Sequence, residues 1–275
     1  MRHFSWTLAL VSCSLAALAL PPAPAAAQDR DRNSDEPFKW SGEIQRDRWV
    51  YVHNLNGPVR VEAGTGSKVE ITATKRWRRG NPADVKISVQ QVGGGKGDVL
   101  ACALWNDDAS CDESGLHSHR DGWRSHDREN DVSVEFVVRL PAGVKVNTTT
   151  VNGQVVVDGA SAAVSASSVN GNVEARSSGG PVLVKTVNGS INVRAGTIGD
   201  DRLEYRTTNG SITVELPASA NADIDMRTVN GSLSSDFPLT IQGRIDRRHM
   251  QATLGRGGPT LRLATVNGSI HLRKA

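Results

Sequence analysis

Three groups of residues in this chain have types and spacings that could do chemistry. The first is His117-Ser118-His119 with His126, set among Asp107, Asp108, Asp112, Glu113, Asp121, Asp127, Glu129 and Asp131. Imidazoles two apart on an extended segment point the same way, and these are ligand types for zinc, copper or nickel. Their spacing matches no established ligand pattern, so the plainer reading is a charged surface loop, and no metal or cofactor is assigned. The second group, Lys75-Arg76-Trp77-Arg78-Arg79, joins cations to an aromatic face, as sites for anionic glycans or phosphates do. It also reads as a basic turn ahead of Gly80-Asn81-Pro82. The third is a charged column of a repeat, Asp158, Arg176, Arg194, Glu215, Asp236 and Arg273. Carboxylates that cleave a glycoside sit roughly 5 to 10 Å apart across a groove. A soluble repeat needs charged outer faces in any case. No nucleophile elbow, phosphate-binding glycine loop or Cys-x-x-Cys motif is present, and no catalytic residue is assigned.

The elements that would position these groups come from an internal repeat. Asn-Gly recurs at Asn152, Asn170, Asn188, Asn209, Asn230 and Asn267, with successive spacings of 18, 18, 21, 21 and 37. Counting from each Asn, position −6 holds Val146, Val164, Val182, Leu203, Ile224 and Leu261, and position −4 holds Thr148, Ala166, Val184, Tyr205, Met226 and Leu263. Position −2 is always a hydroxyl residue: Thr150, Ser168, Thr186, Thr207, Thr228 and Thr265. After the Asn, positions +3 and +5 are mostly apolar, as in Ile191/Val193 and Ile212/Val214, while +4 and +6 are mostly polar. Period-two alternation marks strands with one buried face, so each repeat is strand, Asn-Gly turn, strand. Asn and Gly accept positive φ at low cost, which suits a sharp reversal or corner.

This pattern predicts an all-β chain. In a β-solenoid each repeat is one coil and like residues stack along the axis, which is what in-phase identity rewards. An antiparallel meander or sandwich, with each Asn-Gly a hairpin turn, is the alternative. The spacing of 37 implies an insertion at 237–260 or a degenerate coil. Upstream, 49–52, 59–61, 69–71, 85–89 and 132–138 read as strands, and Asn56-Gly57 reads as an outlying copy of the turn. The expected organisation is a signal peptide at 1–27, a charged linker at 28–38, an irregular β region at 39–140 with a charged loop at 106–131, and a repeat solenoid at 141–275.

Arg2 and His3, the apolar run Thr7 to Leu20 and the small residues Ala25-Ala26-Ala27 make a secretory leader cut after Ala27. Leu10-Val11-Ser12-Cys13 is the rival signal, for lipidation at Cys13. No later segment approaches the length of a membrane-spanning helix. In an oxidising compartment the two cysteines beyond the leader, Cys102 and Cys111, are expected to form a disulfide. The formal charge of +3 is too near zero to argue for nucleic acid as a partner.

The unit Thr-Val-Asn-Gly-Ser-Ile-Asn-Val at 186–193, echoed at 228–233 and 265–270 and preceded by Leu140-Pro141-Ala142-Gly143-Val144, resembles the bacterial putative-adhesin family of exported β-strand-repeat domains of unknown function. The resemblance covers roughly residues 49–273. It implies a secreted or envelope-associated, solenoid-like protein and supplies no active-site residues to carry over. The expectation is an exported, non-enzymatic β-repeat scaffold at the periplasm, cell surface or exterior, with an envelope protein or glycan as the kind of partner. A periplasmic metal- or anion-binding module and a polysaccharide-active β-helix enzyme are the alternatives.

Overall fold

The computed structural model describes residues 33–92, 97–105, 108–118, 130–196, 203–242 and 246–275. The expected leader, its expected cleavage point and Cys13 lie outside the described residues, as do His119, His126, Asp107, Asp121, Asp127 and Glu129. Two 11-stranded sheets carry the structure. Each repeat places the strand before its Asn in one sheet and the strand after its Gly in the other. In the Asn188 coil, for example, these strands are Val182–Lys185 and Ile191–Ala195. The turn is therefore a corner between sheets. Strands of successive coils pair in parallel and in register, with Val155, Val173, Ile191, Ile212 and Ile270 aligned in one sheet. Val146, Val164 and Val182 are aligned in the other. This is the β-solenoid; no repeat folds as a hairpin.

The strand alternation becomes a single core. The −6, −4, +3 and +5 columns of both sheets point at one another and, except at Leu233 and Ser235, are almost wholly excluded from water, as at Val146, Val184, Ile191, Ile212 and Leu263, each 0% exposed. Burying such side chains contributes on the order of 2 kcal/mol apiece. Tyr205 occupies the −4 column with its hydroxyl buried and without a hydrogen-bond partner among the described residues, and burial pushes its pKa up.

Chain order and spatial order part company at both ends. After the Asn209 coil the chain skips one position and lays down the Asn230 coil. It then makes two antiparallel strands, Leu239–Ile241 and His249–Leu254, and returns as Thr260–Ala264 and Ile270–Lys274 to fill the gap. The Asn267 coil thus lies between those of Asn209 and Asn230. The spacing of 37 is an insertion at the edge of the stack, and the last two coils exchange the order that their sequence positions suggest. At the other end Trp49–His53 and Val59–Ala63 form the Asn56 coil. The chain next lays down the outer strands Lys68–Trp77 and Lys86–Val92, then fills inward of them with Asp98–Leu104 and Ser133–Leu140. The sheets run without interruption from this region into the repeats.

Within the stretch expected to be a charged loop, Ala109–Asp112 and Gly115–Ser118 pair as an antiparallel hairpin. Cys102 and Cys111 are joined by a disulfide that fastens this hairpin to the strand Asp98–Leu104.

Two substitutions test the core. Ile191→Ala should cost about 2 to 5 kcal/mol in denaturant unfolding, the usual range for truncating a fully buried Ile. Tyr205→Phe should leave stability unchanged or raise it by about 1 kcal/mol, because it removes a buried, unpaired hydroxyl while keeping the ring.

Candidate functional site

The most elaborated feature of the molecule is the corner itself. At Asn188 the −2 hydroxyl, Thr186 Oγ1, donates to the carbonyl of Gly171 in the upstream coil at 2.9 Å. The same bond runs from Thr150 to Gly57, Ser168 to Gly153, Thr207 to Gly189, Thr265 to Gly210 and Thr228 to Gly268, at 2.8 to 3.0 Å. All six hydroxyl residues are buried. In the Asn56 coil Asn54 takes the place of the hydroxyl residue, and its carboxamide donates to Val134 O at 2.8 Å and to Gly57 O at 3.0 Å.

These bonds require the coils to approach closely at the glycine. A Cβ on Gly189 would lie 2.1 Å from the Gly171 carbonyl oxygen, and the other corner glycines meet an upstream carbonyl at 1.9 to 2.2 Å. The expectation that Asn and Gly are chosen for positive φ therefore needs correction: Asp47 is the one non-glycine residue with positive φ among the described residues, and most corner glycines do not have it either. Glycine is needed for backbone proximity. The corner Asn side chains instead form a ladder on the surface. Each Nδ2 donates to the Oδ1 one coil upstream, linking Asn152, Asn170, Asn188, Asn209, Asn267 and Asn230 in that order at 2.7 to 2.9 Å. Beside it runs a ridge of −1 residues, with Val169, Val187, Val229 and Val266 between 39% and 50% exposed.

The charged +6 column lies on the outer face of the sheet that follows the corners. Asp158, Arg176, Arg194, Glu215 and Arg273 fall on consecutive strands. Each carboxylate is paired sideways: Asp158 with Arg176 at 3.4 Å, Glu215 with Arg194 at 3.2 Å and Arg273 at 4.0 Å, and Asp236 with His271 at 3.0 Å. Asp158 and Glu215 are three strand spacings apart, about 14 Å. That exceeds the separation glycoside hydrolysis uses.

The basic turn is likewise occupied from within. The Asp131 carboxylate accepts the backbone N–H groups of Arg78, Arg79 and Gly80 at 2.8 to 3.2 Å, and these bonds, the Gly80 bond foremost, hold its carboxyl below the usual range. Arg76 pairs with Glu135 at 3.1 Å and Lys75 donates to Pro82 O at 2.8 Å. In the hairpin, Asp112 accepts from Ser114 and His117, so His117 is spent on the turn of its own hairpin. The Ser114 hydroxyl and then His117 hold the Asp112 carboxyl below its ordinary value. No group of three or more His, Cys, Asp or Glu residues that could hold a metal ion is found among the described residues.

Two groupings were not read from the sequence. Asp225, nearly buried on the strand Ala222–Arg227, accepts from Arg227 at 3.0 Å, Arg262 at 3.3 Å and, on its other side, His249 at 3.1 Å. Burial pushes its carboxyl up; the Arg227 hydrogen bond and charge, joined by His249, prevail and hold it low. The second is the row Trp49, Tyr51 and His53 on the outer face of the strand Trp49–His53, with ring centroids 5.9 and 6.3 Å apart. His53 is fully buried, its Nδ1 lies 2.6 Å from Thr149 Oγ1, and it pairs in register with Cys102. Desolvation lowers the imidazole to about 4, against the pull of the Glu113 and Asp112 backbone and the Asp112 charge.

Two outcomes follow. Thr186→Val should cost about 1 to 3 kcal/mol, because a buried carbonyl loses its donor, while Gly189→Ala should be harsher, since backbone must move. Because the folded His53 stays neutral down to about pH 4 while an unfolded imidazole titrates near 6.5, stability should be full above pH 6.5. It should fall by roughly 3 kcal/mol as the pH is lowered through that window. Denaturant titrations at several pH values should show this slope in the wild type and lose it in His53→Gln.

Residues 124–273 match the family model described as Toastrack DUF4097, more than half of the chain's 275 residues. Among solved structures, a putative cell adhesion protein from Clostridium sporogenes is similar at 12% identity and a TM-score of 0.49, with 87% of this chain and 100% of that one covered. A putative adhesin from Bacteroides fragilis is similar at 9% identity and a TM-score of 0.37, with 87% and 97% covered. No curated protein matches. The family model spans the coils from Asn152 to Asn267, so the stacked corners described above fall within it, and the chain belongs to the Toastrack DUF4097 family.

Proposed function

We propose that this chain is an exported, non-enzymatic scaffold whose stacked coils present a repetitive surface for adhesion or envelope assembly. The observation that carries this reading is the lateral pairing of the charged column. The carboxylates that a polysaccharide-cleaving solenoid would turn toward a substrate are engaged by arginine or histidine on the neighbouring strand. What the corner side offers is flat and periodic: the Asn ladder, the half-exposed valine ridge and a row of small polar residues at Gln154, Asn172, Ser190, Ser211, Ser269 and Ser232. Such a face suits extended contact with a polymer or a second surface better than enclosure of a small molecule. The Cys102–Cys111 disulfide fits an oxidising compartment, which supports reading residues 1–27 as a leader removed before Gln28.

The metal- or anion-binding module is the weaker reading, because Asp131 fills the donors of the basic turn and His117 serves Asp112. Calorimetric titration with zinc and copper separates the two. The scaffold reading expects no micromolar binding, whereas binding abolished by His117→Ala would favour the module.

Export and surface role are tested together on the source cells. Intact mass should begin at Gln28 with both cysteines oxidised, and the purified mature chain should bind isolated envelopes saturably. Retention of the leader in the cytosolic fraction, a lipid-modified Cys13 or an absence of envelope binding would each contradict part of the proposal.

A further inference from the structure

From Asn170 onward, each corner that has a downstream neighbour meets it through one fixed set of five bonds. Between the Asn188 and Asn209 coils, Gly189 N donates to Asn209 O at 3.0 Å and Ile191 N donates to Ser211 O at 2.9 Å. In return Val187 O accepts from Asn209 N at 2.7 Å, Gly189 O from Thr207 Oγ1 at 2.8 Å, and Asn188 Oδ1 from Asn209 Nδ2 at 2.7 Å. The same five recur at the junctions of Asn170 with Asn188, Asn209 with Asn267 and Asn267 with Asn230.

The Asn230 coil is the last in the stack, and its copy of the set has no taker. Among the described residues nothing donates to Val229 O, Asn230 Oδ1 or Gly231 O, and nothing accepts from Gly231 N or Leu233 N. Val229, Asn230 and Gly231 are exposed and Leu233 half-buried, although the equivalent Ile191, Ile212 and Ile270 are fully buried. The other sheet is covered at this end. Its edge strand Ala222–Arg227 pairs with His249–Leu254, and that cover stops where Thr228 N donates to Arg248 O at 2.9 Å. Beyond it the corner and the short strand Leu233–Ser235 are bare.

The filled junctions specify what fits. An occupant must be extended and bring a hydroxyl at −2, an N–H and a carboxamide at the Asn position, and carbonyls at the Asn and at +2. A second folded copy cannot provide them: the corner hydroxyls already donate upstream within their own stack, as the Asn carboxamides do from Asn170 onward. Its upstream end is closed by antiparallel strands, Lys86–Val92 on one sheet and, on the other, Lys68–Trp77 with Asn33–Ser34 and Phe38–Glu43 paired outside it. We propose that the open corner Val229–Ser235 is a strand-acceptor site for an extended Ser/Thr-x-Asn-Gly segment of a partner polypeptide. Backbone bonds would supply affinity, and the hydroxyl and carboxamide would supply selectivity, as in other strand additions to a sheet edge. The site rests on the scaffold reading by giving it a partner, but its test is independent of export.

The probe is a labelled peptide with the sequence of residues 265–272, Thr-Val-Asn-Gly-Ser-Ile-His-Leu, titrated into the mature protein by fluorescence anisotropy. Saturable binding is expected, weakened at least about tenfold when the peptide Thr and Asn are replaced by Val and Leu, the loss of roughly one to two hydrogen bonds. Leu233→Pro removes an outward N–H with no internal partner and should weaken binding by a similar factor, with only a small fall in melting temperature from the loss of the half-buried side chain. Should that variant misfold, amide exchange on the wild type decides: the peptide should slow exchange at Gly231 and Leu233. No saturation at millimolar peptide, equal binding of the altered peptide, or binding that leaves those two amides unprotected would overturn the proposal.

Discussion

The bond from each −2 hydroxyl to the glycine carbonyl one coil upstream is the constraint around which this molecule is arranged. It forms in a buried place, so the carbonyl would otherwise be left without a partner at a cost comparable to the hydrogen bond itself. It can form only if successive corners lie closer than any side chain permits, which fixes glycine beside the Asn. With that spacing set, the strand before the corner enters one sheet and the strand after it enters the other. The apolar positions of both then face a common interior. Register follows as well, because a one-residue slip would turn the valine columns outward and break the hydroxyl column together.

A stack built this way has two ends, and sheet edges invite unwanted pairing. The chain deals with both by the same manoeuvre: it lays down an outer strand first and later fills the position inside it. An antiparallel strand caps each sheet upstream, Lys68–Trp77 and Lys86–Val92, but only one sheet downstream, His249–Leu254. The disulfide and the Asp225 cluster sit near opposite ends, where coils have a neighbour on one side only. The disulfide fastens a hairpin, and the Asp225–His249 pair a covering strand, that no corner joins. Charges along the outer face are balanced between neighbouring strands, which suits a long exposed sheet.

Much of this is legible in residue columns. The invariant hydroxyl at −2, the alternation at +3 and +5 and the outlying Asn56-Gly57 are direct imprints of stacking, and the Cys102–Cys111 disulfide is the one expected from the sequence. The position of the Asn267 coil is not legible, because it carries the same columns as the Asn209 and Asn230 coils and would fit beside either. Spacing along the chain says nothing of which gap is filled. Asn54 escapes notice because an amide does the work of a hydroxyl there. The hairpin at 109–118 lacks an apolar alternation and is held by the disulfide and by Asp112. Asp225, Arg262 and His249 meet from three strands distant in sequence, so no local motif announces them. The glycine itself misleads, since close approach and positive φ select the same residue.

The order of the last coils tests this account most directly, because it depends on the corner set recurring across a gap that the chain filled late. Ser211 and Ser269 occupy adjacent corners, with Ser269 N donating to Ser211 Oγ at 3.3 Å, whereas Ser211 and Ser232 are separated by a whole coil. In the otherwise disulfide-paired chain, Ser211→Cys with Ser269→Cys should be joined efficiently by a short thiol crosslinker in the native state. Ser211→Cys with Ser232→Cys should not be, as mass spectrometry of the digested protein would report. Efficient joining of the second pair in place of the first would mean that the coils stack in their sequence order, contradicting the arrangement described.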